Sequence, residues 1–369
     1  MATQWTKERI REWYHEMPWL RGCNYLPADC CNRIAFWQEL DWEQHLATAD
    51  RELELAAATG FNSVRVLLEF IVWDEQHDGF LLRFEQFLAV AAKHGISVMV
   101  CFANDCTVPK DANYRPQQLG PQPCDWGYHG GRRNSPHCIT DQIGYYPALD
   151  EPENAGRFYA MVEEIVTKYA ADPRIVIWDL YNEAGNANRG DVSVPHVKRI
   201  FDVARSVDPI QPLTSCVWRG LGHFSAAEKT ALELSDLVSY HNYGSYADNV
   251  VMIDFLRRYG RPIINTEWLH RQQRNTVQEM FPLFFLEKIG CWNWGFVAGL
   301  SQTYEPWETL YQLYSAGERD IDFTKWQHDL FRPSLRPYDP REIELIERFC
   351  LLADTRHGQR SSSRDRLNR

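Results

Sequence analysis

The nine residues Ile175–Glu183, IVIWDLYNE, decide the architecture. Apolar and β-branched residues with no strict alternation read as a strand buried on both faces, and polar residues then end the run abruptly. Seven further short runs have the same character: Leu20–Tyr25, Ser63–Leu68, Ser97–Phe102, Leu213–Val217, Leu237–His241, Pro262–Thr266 and Cys291–Phe296. Between them lie amphipathic stretches, among them Glu43–Thr59, Leu81–His94, Ala155–Ala171, Pro195–Val207 and Asn249–Tyr259. Gly60, Gly95, Gly260 and Gly290 stand where helices should stop. Strands rich in Val and Ile that alternate with helices imply parallel pairing with helices on the outside. Eight such units fit a closed (β/α)8 barrel, and no Gly-rich dinucleotide or phosphate fingerprint follows any strand to favour an open sheet.

Composition supports one decorated barrel. The 369 residues are 44% hydrophobic and 24% charged, which suits a globular chain with a large core. A net charge of -11 argues against nucleic acid or an acidic membrane surface as partner. Some of the 14 Trp, 17 Tyr and 18 Phe must pack the core, but that many Trp also suits a protein that stacks flat ligands such as sugar rings. Met1 to Pro18 holds no apolar stretch of the kind a secretory signal needs, and no run is long enough to span a membrane. Ten cysteines, several inside apolar strands, read as reduced thiols, so the expected location is cytoplasmic.

The barrel is expected to occupy residues 1–354. Two connections, about 104–153 and 298–339, are too long for plain loops. Both follow strands and so should rise from the face where barrel active sites form. The tail 355–369, with five Arg and one Asp, reads as basic and disordered. Cys106, Cys124, His129, His137 and Cys138 crowd the first insertion, but their spacings match no compact metal knuckle and they are read as loop residues.

In such a barrel the tips of the strands carry chemistry. The fourth candidate strand ends in Asn182-Glu183 and the seventh in Thr266-Glu267. An Asn-Glu pair alone usually marks a turn. Two glutamates capping two apolar strands on one face are different, because paired carboxyl groups across a cleft are what glycosidic cleavage requires. Arg65 lies inside an apolar strand and needs a charged partner, either as a core ion pair or beside a carboxylate. His241 and Tyr243 end the sixth strand. Trp292 and Trp294 share one face of the eighth, where each could pack or stack. A cation and a phenol near Glu267 should lower its pKa, while a more apolar setting should raise that of Glu183. Trp126 and Trp307 could build further subsites or fasten the insertions. Asp105 and Asp179 read as structural acceptors.

Asn-Glu on strand four, His-x-Tyr on strand six, Glu on strand seven and Trp on strand eight resemble the clan A retaining glycosidases, most closely glycoside hydrolase family 5. The likeness covers about Gly22 to Gly299. It implies Glu183 as acid/base and Glu267 as nucleophile. It further implies that Asn182 bonds the sugar 2-hydroxyl, that Arg65 and Tyr243 hold the nucleophile, that His241 lines the same subsite and that Trp294 lies under the sugar. Where many members carry His near the tip of strand three, this chain has Asn104. No metal or organic cofactor is implied, and the partner is an oligosaccharide. The expected activity is retaining, exo-acting hydrolysis of short β-mannosides or β-glucosides. The alternatives are an endo-acting β-1,4-glycanase, a transglycosidase and a non-catalytic carbohydrate-binding barrel.

Overall fold

The computed structural model describes residues 3–106, 117–131 and 148–367, of which 148 and 360–367 in backbone alone. Its strands are β1 (Arg21–Asn24), β2 (Ser63–Leu67), β3 (Ser97–Asn104), β4 (Ile175–Asn182), β5 (Leu213–Thr214), β6 (Cys216–Val217), β7 (Val238–His241), β8 (Ile263–Trp268) and β9 (Gly290–Asn293). Every pairing is parallel, in the order β5-β4-β3-β2-β1-β9-β8-β7-β6. The two ends of that order, β5 and β6, are halves of one expected strand divided at Ser215. The Ser215 N–H donates to Ser235 Oγ at 3.1 Å and its hydroxyl donates to the Tyr181 carbonyl at 2.8 Å, which takes this residue out of the ladder. The chain itself therefore closes an eight-stave (β/α)8 barrel, as the alternation of runs requires.

The helices are α1 (Lys7–Glu16), α2 (Arg33–Trp37), α3 (Trp42–Ala58), α4 (Phe70–Glu75), α5 (His77–Lys93), α6 (Pro152–Lys168), α7 (Val194–Ser206), α8 (Ala226–Leu234), α9 (Tyr246–Leu256), α10 (Val277–Glu287), α11 (Glu308–Ser315) and α12 (Pro340–Leu367). Gly60, Gly95 and Gly260 take positive φ after helical segments, as stop signals should. Gly290 does not: Lys288 takes the left-handed turn instead, and Gly290 opens β9. Beyond Thr355 the backbone continues α12 to Leu367. The first half of this helix is anchored by buried Ile343, Ile346 and Cys350 and by Asp354, which pairs with Arg21 at 2.7 Å. Among the described residues no helix is long and apolar enough to cross a membrane.

Two cores position the site. The larger lies between strands and helices. The smaller fills the lower barrel with Leu20, Met99, Ile177, Ile264 and Trp292, plugged by Trp5 and by Ile10 of α1. Trp292 is therefore corrected from a sugar-binding candidate to a packing residue. It is fully buried, and its indole N–H donates to Ser63 Oγ at 3.2 Å, below the pocket. It shares the barrel interior with Trp294 but sits deeper. The β7–β8 register shifts between Tyr240 and His241, which sets His241 opposite Glu267. Such irregularities at barrel rims re-aim side chains, here His241 and Glu267.

Candidate active site

The floor of the site is an ionic network drawn from several strands, with β4 supplying two members, Asp179 and Asn182. Arg65 of β2 is wholly buried. Its Nε donates to Asp179 Oδ2 of β4 at 2.8 Å, and Nη1 donates to Asn24 Oδ1 of β1 at 2.7 Å and to Glu267 Oε1 of β8 at 3.1 Å. Nη2 donates to Asn182 Oδ1 at 2.6 Å. Burial is the largest single influence and works against this charge, but Asp179, Cys101 and Glu267 together overcome it, and the guanidinium stays protonated. Asn182 then has one orientation. Its Oδ1 faces Arg65, and its Nδ2 donates to Asn104 Oδ1 at 2.8 Å, leaving one amide proton for another acceptor. Asn104 thus lines the pocket while holding Asn182 and also accepts from the Cys106 N–H at 3.0 Å.

The two glutamates converge. One carboxylate oxygen of Glu183, one of Glu267 and a ring nitrogen of His241 lie within 4.8 Å of one another. His241 Nδ1 is 2.8 Å from Glu183 Oε1 and 3.4 Å from Glu267 Oε2. Asn186 Nδ2 donates to the other Glu183 oxygen at 2.6 Å, and Tyr243 OH donates to Glu267 Oε2 at 2.8 Å. Glu183 takes φ +49°, a left-handed conformation costly for a residue with a side chain, at the point where the chain leaves β4. The loop beyond is pinned by buried Asp105, which accepts from Tyr181 OH and from the Gly185 N–H, each at 2.8 Å, and pairs with Arg189 at 2.9 Å. Asp105 and Asp179 are the structural acceptors expected.

The expected lowering of the Glu267 pKa is corrected. Burial pushes this carboxyl above its ordinary value, and the Glu183 carboxylate pushes the same way. His241, Arg65 and Tyr243 pull it down without cancelling burial. The Cys106 thiol is likewise pushed well above its ordinary range, by burial first and then by these two glutamates, and stays neutral beside Glu183.

A second structure, built from the insertions, forms the wall. Tyr243 is boxed by the rings of Trp307, His328 and His270, with centroids 5.3, 5.5 and 6.2 Å away. His328 Nε2 accepts from Tyr128 OH at 3.0 Å and from Gln327 Nε2 at 2.8 Å. Burial holds His270 down at about 3 and His328 well below its usual value, so both are neutral struts. The insertions also bond to each other: Gly130 N–H donates to the Ser301 carbonyl at 2.7 Å and Gln302 Nε2 to the Asp125 carbonyl at 2.6 Å. Trp294 lies beside them, its indole N–H buried with no partner among the described residues. Together floor and wall enclose a pocket of about 760 Å3, reaching Arg33 and Glu69 on one side and Trp218 and Asp248 on the other.

Of the sequence candidates, Glu183, Glu267, Arg65, Asn104, Asn182, His241, Tyr243 and Trp294 come together, and Trp292 does not. Asn24 was missed although it sits at the tip of β1, where the same reading would have found it. Asn186, Tyr128, His270 and His328 carry no such signal. Cys106, Cys124 and His129 form no common ligand set among the described residues, and His137 and Cys138 lie outside them. Glu183, His241 and Glu267 could in principle hold a cation, but Arg65 at 3.1 Å from Glu267 opposes one electrostatically. The donor set suits proton transfer better.

Comparison with known proteins agrees with this geometry. The model of the cellulase family, glycosyl hydrolase family 5, matches residues 33–298. A curated β-glucuronidase from Paenibacillus borealis is 24% identical over 136 residues, a stretch that covers 34% of this chain and 22% of that protein. Among solved structures, the endo-β-1,4-mannanase from Thermotoga petrophila superposes with a TM-score of 0.55 at 14% identity, covering 92% of this chain and 77% of that one. A family 5 mannosidase from Rhizomucor miehei gives 0.54 at 14% identity, with 92% and 94% covered.

Proposed function

The chain belongs to the cellulase family, glycosyl hydrolase family 5, and on that premise we propose that it is a retaining, exo-acting β-glycosidase of short β-mannosides or β-glucosides. Glu267 attacks the anomeric carbon as Glu183 protonates the glycosidic oxygen, so the C1–O bond breaks and a glycosyl ester forms on Glu267. Glu183, now a carboxylate, takes a proton from water, which attacks C1 and frees the carboxylate. The observation that carries this reading is the carboxylate spacing. The nearest oxygens of the two carboxylates lie within 4.8 Å, and that closeness goes with the roughly 5–5.5 Å between carboxyl groups of double displacement rather than the about 6.5–9.5 Å of an inverting site.

The other residues have roles that follow from their bonds. Arg65 and Tyr243 each hold one oxygen of Glu267. The remaining Asn182 amide proton suits the 2-hydroxyl of the sugar, and His241 sits between the two carboxylates. The Trp294 ring offers a stacking face. Exo action is favoured by the bonds between the insertions beside Trp294, which wall that end of the pocket. A reduced, cytoplasmic setting goes with this reading, since none of the nine described cysteines is in a disulfide. A second reading, an endo-acting β-1,4-glycanase, draws on the pocket volume of about 760 Å3, in the upper part of the usual range for ligand sites.

The test is a panel of aryl β-glycosides and β-linked tetrasaccharides followed by proton NMR. The β-anomer should appear first, and monosaccharide should be released without shorter oligomers accumulating ahead of it. An α-anomer as first product would overturn the mechanism. Internal cleavage products would move the assignment to the endo reading.

A further inference from the structure

We propose that Asp29, Cys30 and His45 form a zinc-type metal site that fastens the loop after β1 to α3, outside the active site and independent of the glycosidase reading. His45 and Thr48, three residues apart, lie on one face of α3, and the loop 25–32 packs against that face. The Asp29 Oδ2 and His45 Nδ1 atoms are 3.0 Å apart, Cys30 Sγ is 3.7 Å from Asp29 Oδ1, and one ligand atom from each residue lies within 4.8 Å of the others. A tetrahedral zinc with bonds of about 2.0–2.3 Å holds its ligand atoms roughly 3.3–3.6 Å apart, so these spacings need only small adjustments.

Two observations separate this cluster from an ordinary surface pair. The His45 side chain is only 8% exposed, and among the described residues its Nδ1 meets the Asp29 carboxylate at 3.0 Å off the alignment of a good hydrogen bond. The ligand chemistry is also right: one thiol, one imidazole and one carboxylate form a mixed set that suits zinc better than calcium or magnesium. Thr48 Oγ1 donates to Asp29 Oδ2 at 3.0 Å and Gln44 Nε2 lies 3.4 Å from the same oxygen, an outer layer that orients the carboxylate. The Asp29 side chain is 22% exposed, which leaves room for a water as fourth ligand.

Binding replaces the Cys30 S–H bond by a sulfur–metal bond, and the thiol proton leaves to solvent. A dication then neutralises the Cys30 thiolate and the Asp29 carboxylate next to Glu52, which accepts from Tyr25 OH at 2.8 Å on the same face of α3. The loop so fastened leads directly into Asn32 and Arg33, which line the pocket. The metal would thus stiffen one rim of the site without taking part in chemistry.

The experiment uses the full chain, stripped with a chelator and reloaded with zinc or cobalt(II). Elemental analysis should find about one zinc per chain, and reloading should raise the melting temperature by about 3 °C or more. Cobalt should produce a thiolate charge-transfer band. Cys30→Ser should lose the band, His45→Gln should lose the stoichiometric zinc, and both should keep aryl-glycosidase activity within about threefold. Absence of zinc and of the cobalt band in the wild type overturns the proposal, whatever the variants do. So does a band that survives in Cys30→Ser, because another thiol would then be the ligand.

Discussion

Glu267 is held at one oxygen by the floor of the barrel and at the other by its wall, and the two supports are built on different principles. The floor is ionic. Arg65, Asp179, Asn24 and Asn182 stand on three strands of the barrel, β2, β4 and β1, and converge through hydrogen bonds of 2.6–2.8 Å in a region closed to solvent. The wall is aromatic and uncharged, a stack of Tyr243, Trp307, His270 and His328 assembled from strand ends and the second insertion, with Tyr128 bonded to it from the first. A buried charge network fixes geometry strictly, because each unpaired member is costly. An aromatic box tolerates adjustment, since much of its energy is spread over contact area. The chemistry therefore rests on the floor and the shape of the pocket on the wall.

The largest effect that tests this division is at the junction itself. Glu267→Gln should lower kcat/KM by about 10^4-fold or more, measured on an aryl β-glycoside. The same variant should melt higher than the wild type near pH 7. Because burial raises the folded pKa of this carboxyl above its unfolded value, keeping it ionised costs stability at every pH above that unfolded value, near 4.3, and the substitution removes the cost. The advantage should vanish as pH falls below about 4. A variant that melts lower at pH 7 would mean that the floor and wall together stabilise the charge more than burial opposes it.

Next in size is Arg65→Met, which leaves Asp179 and Glu267 buried without their cation. A loss of about 3–5 kcal/mol in denaturant titration and about 10^3-fold in kcat/KM is expected. A stability change below about 1 kcal/mol would show that the floor is not held ionically. Asn104→Ala removes the acceptor that orients Asn182. It should lower kcat by about 10- to 100-fold with little change in KM, and Asn104→Asp should restore part of the rate because it keeps an acceptor for the Asn182 amide. A KM effect alone would place Asn104 on the sugar instead.

The smallest effect is expected in the wall. Tyr128→Phe removes one hydrogen bond to His328, which keeps its bond from Gln327. It should cost about 0.5–1.5 kcal/mol in stability and less than threefold in kcat. If Tyr128→Phe slows turnover as much as Asn104→Ala, the separation of chemistry from shape fails.

The floor was legible in sequence because it obeys a local rule. A charged or amide side chain at the tip of an apolar run, or inside one, has few reasons to be there, and Arg65, Asn182 and Glu267 each met that test. Asn24 met it too and was passed over. Asp179 was recognised as an acceptor without its partner. The wall had no local signature. His270 and His328 are 58 positions apart in loops, and only the packing of the second insertion brings them beside Tyr243. Trp292 and Trp294 show the limit of strand periodicity. Spacing of two placed both on the interior face, but height along the barrel, which period does not encode, made one a core residue and the other a pocket residue. The rise in the Glu267 pKa was hidden for a similar reason. Neighbouring donors can be inferred from strand order, whereas the depth of burial that outweighs them cannot.

The amino-acid order by itself determined the barrel, the tips that carry function and the pair of glutamates, because these depend on periodicity and on residues close in sequence. Tertiary structure alone decided the separation of those glutamates, the protonation pressure on Glu267 and the closed wall of the pocket. Each of these is a distance or a dielectric environment set by segments that meet only when the chain folds.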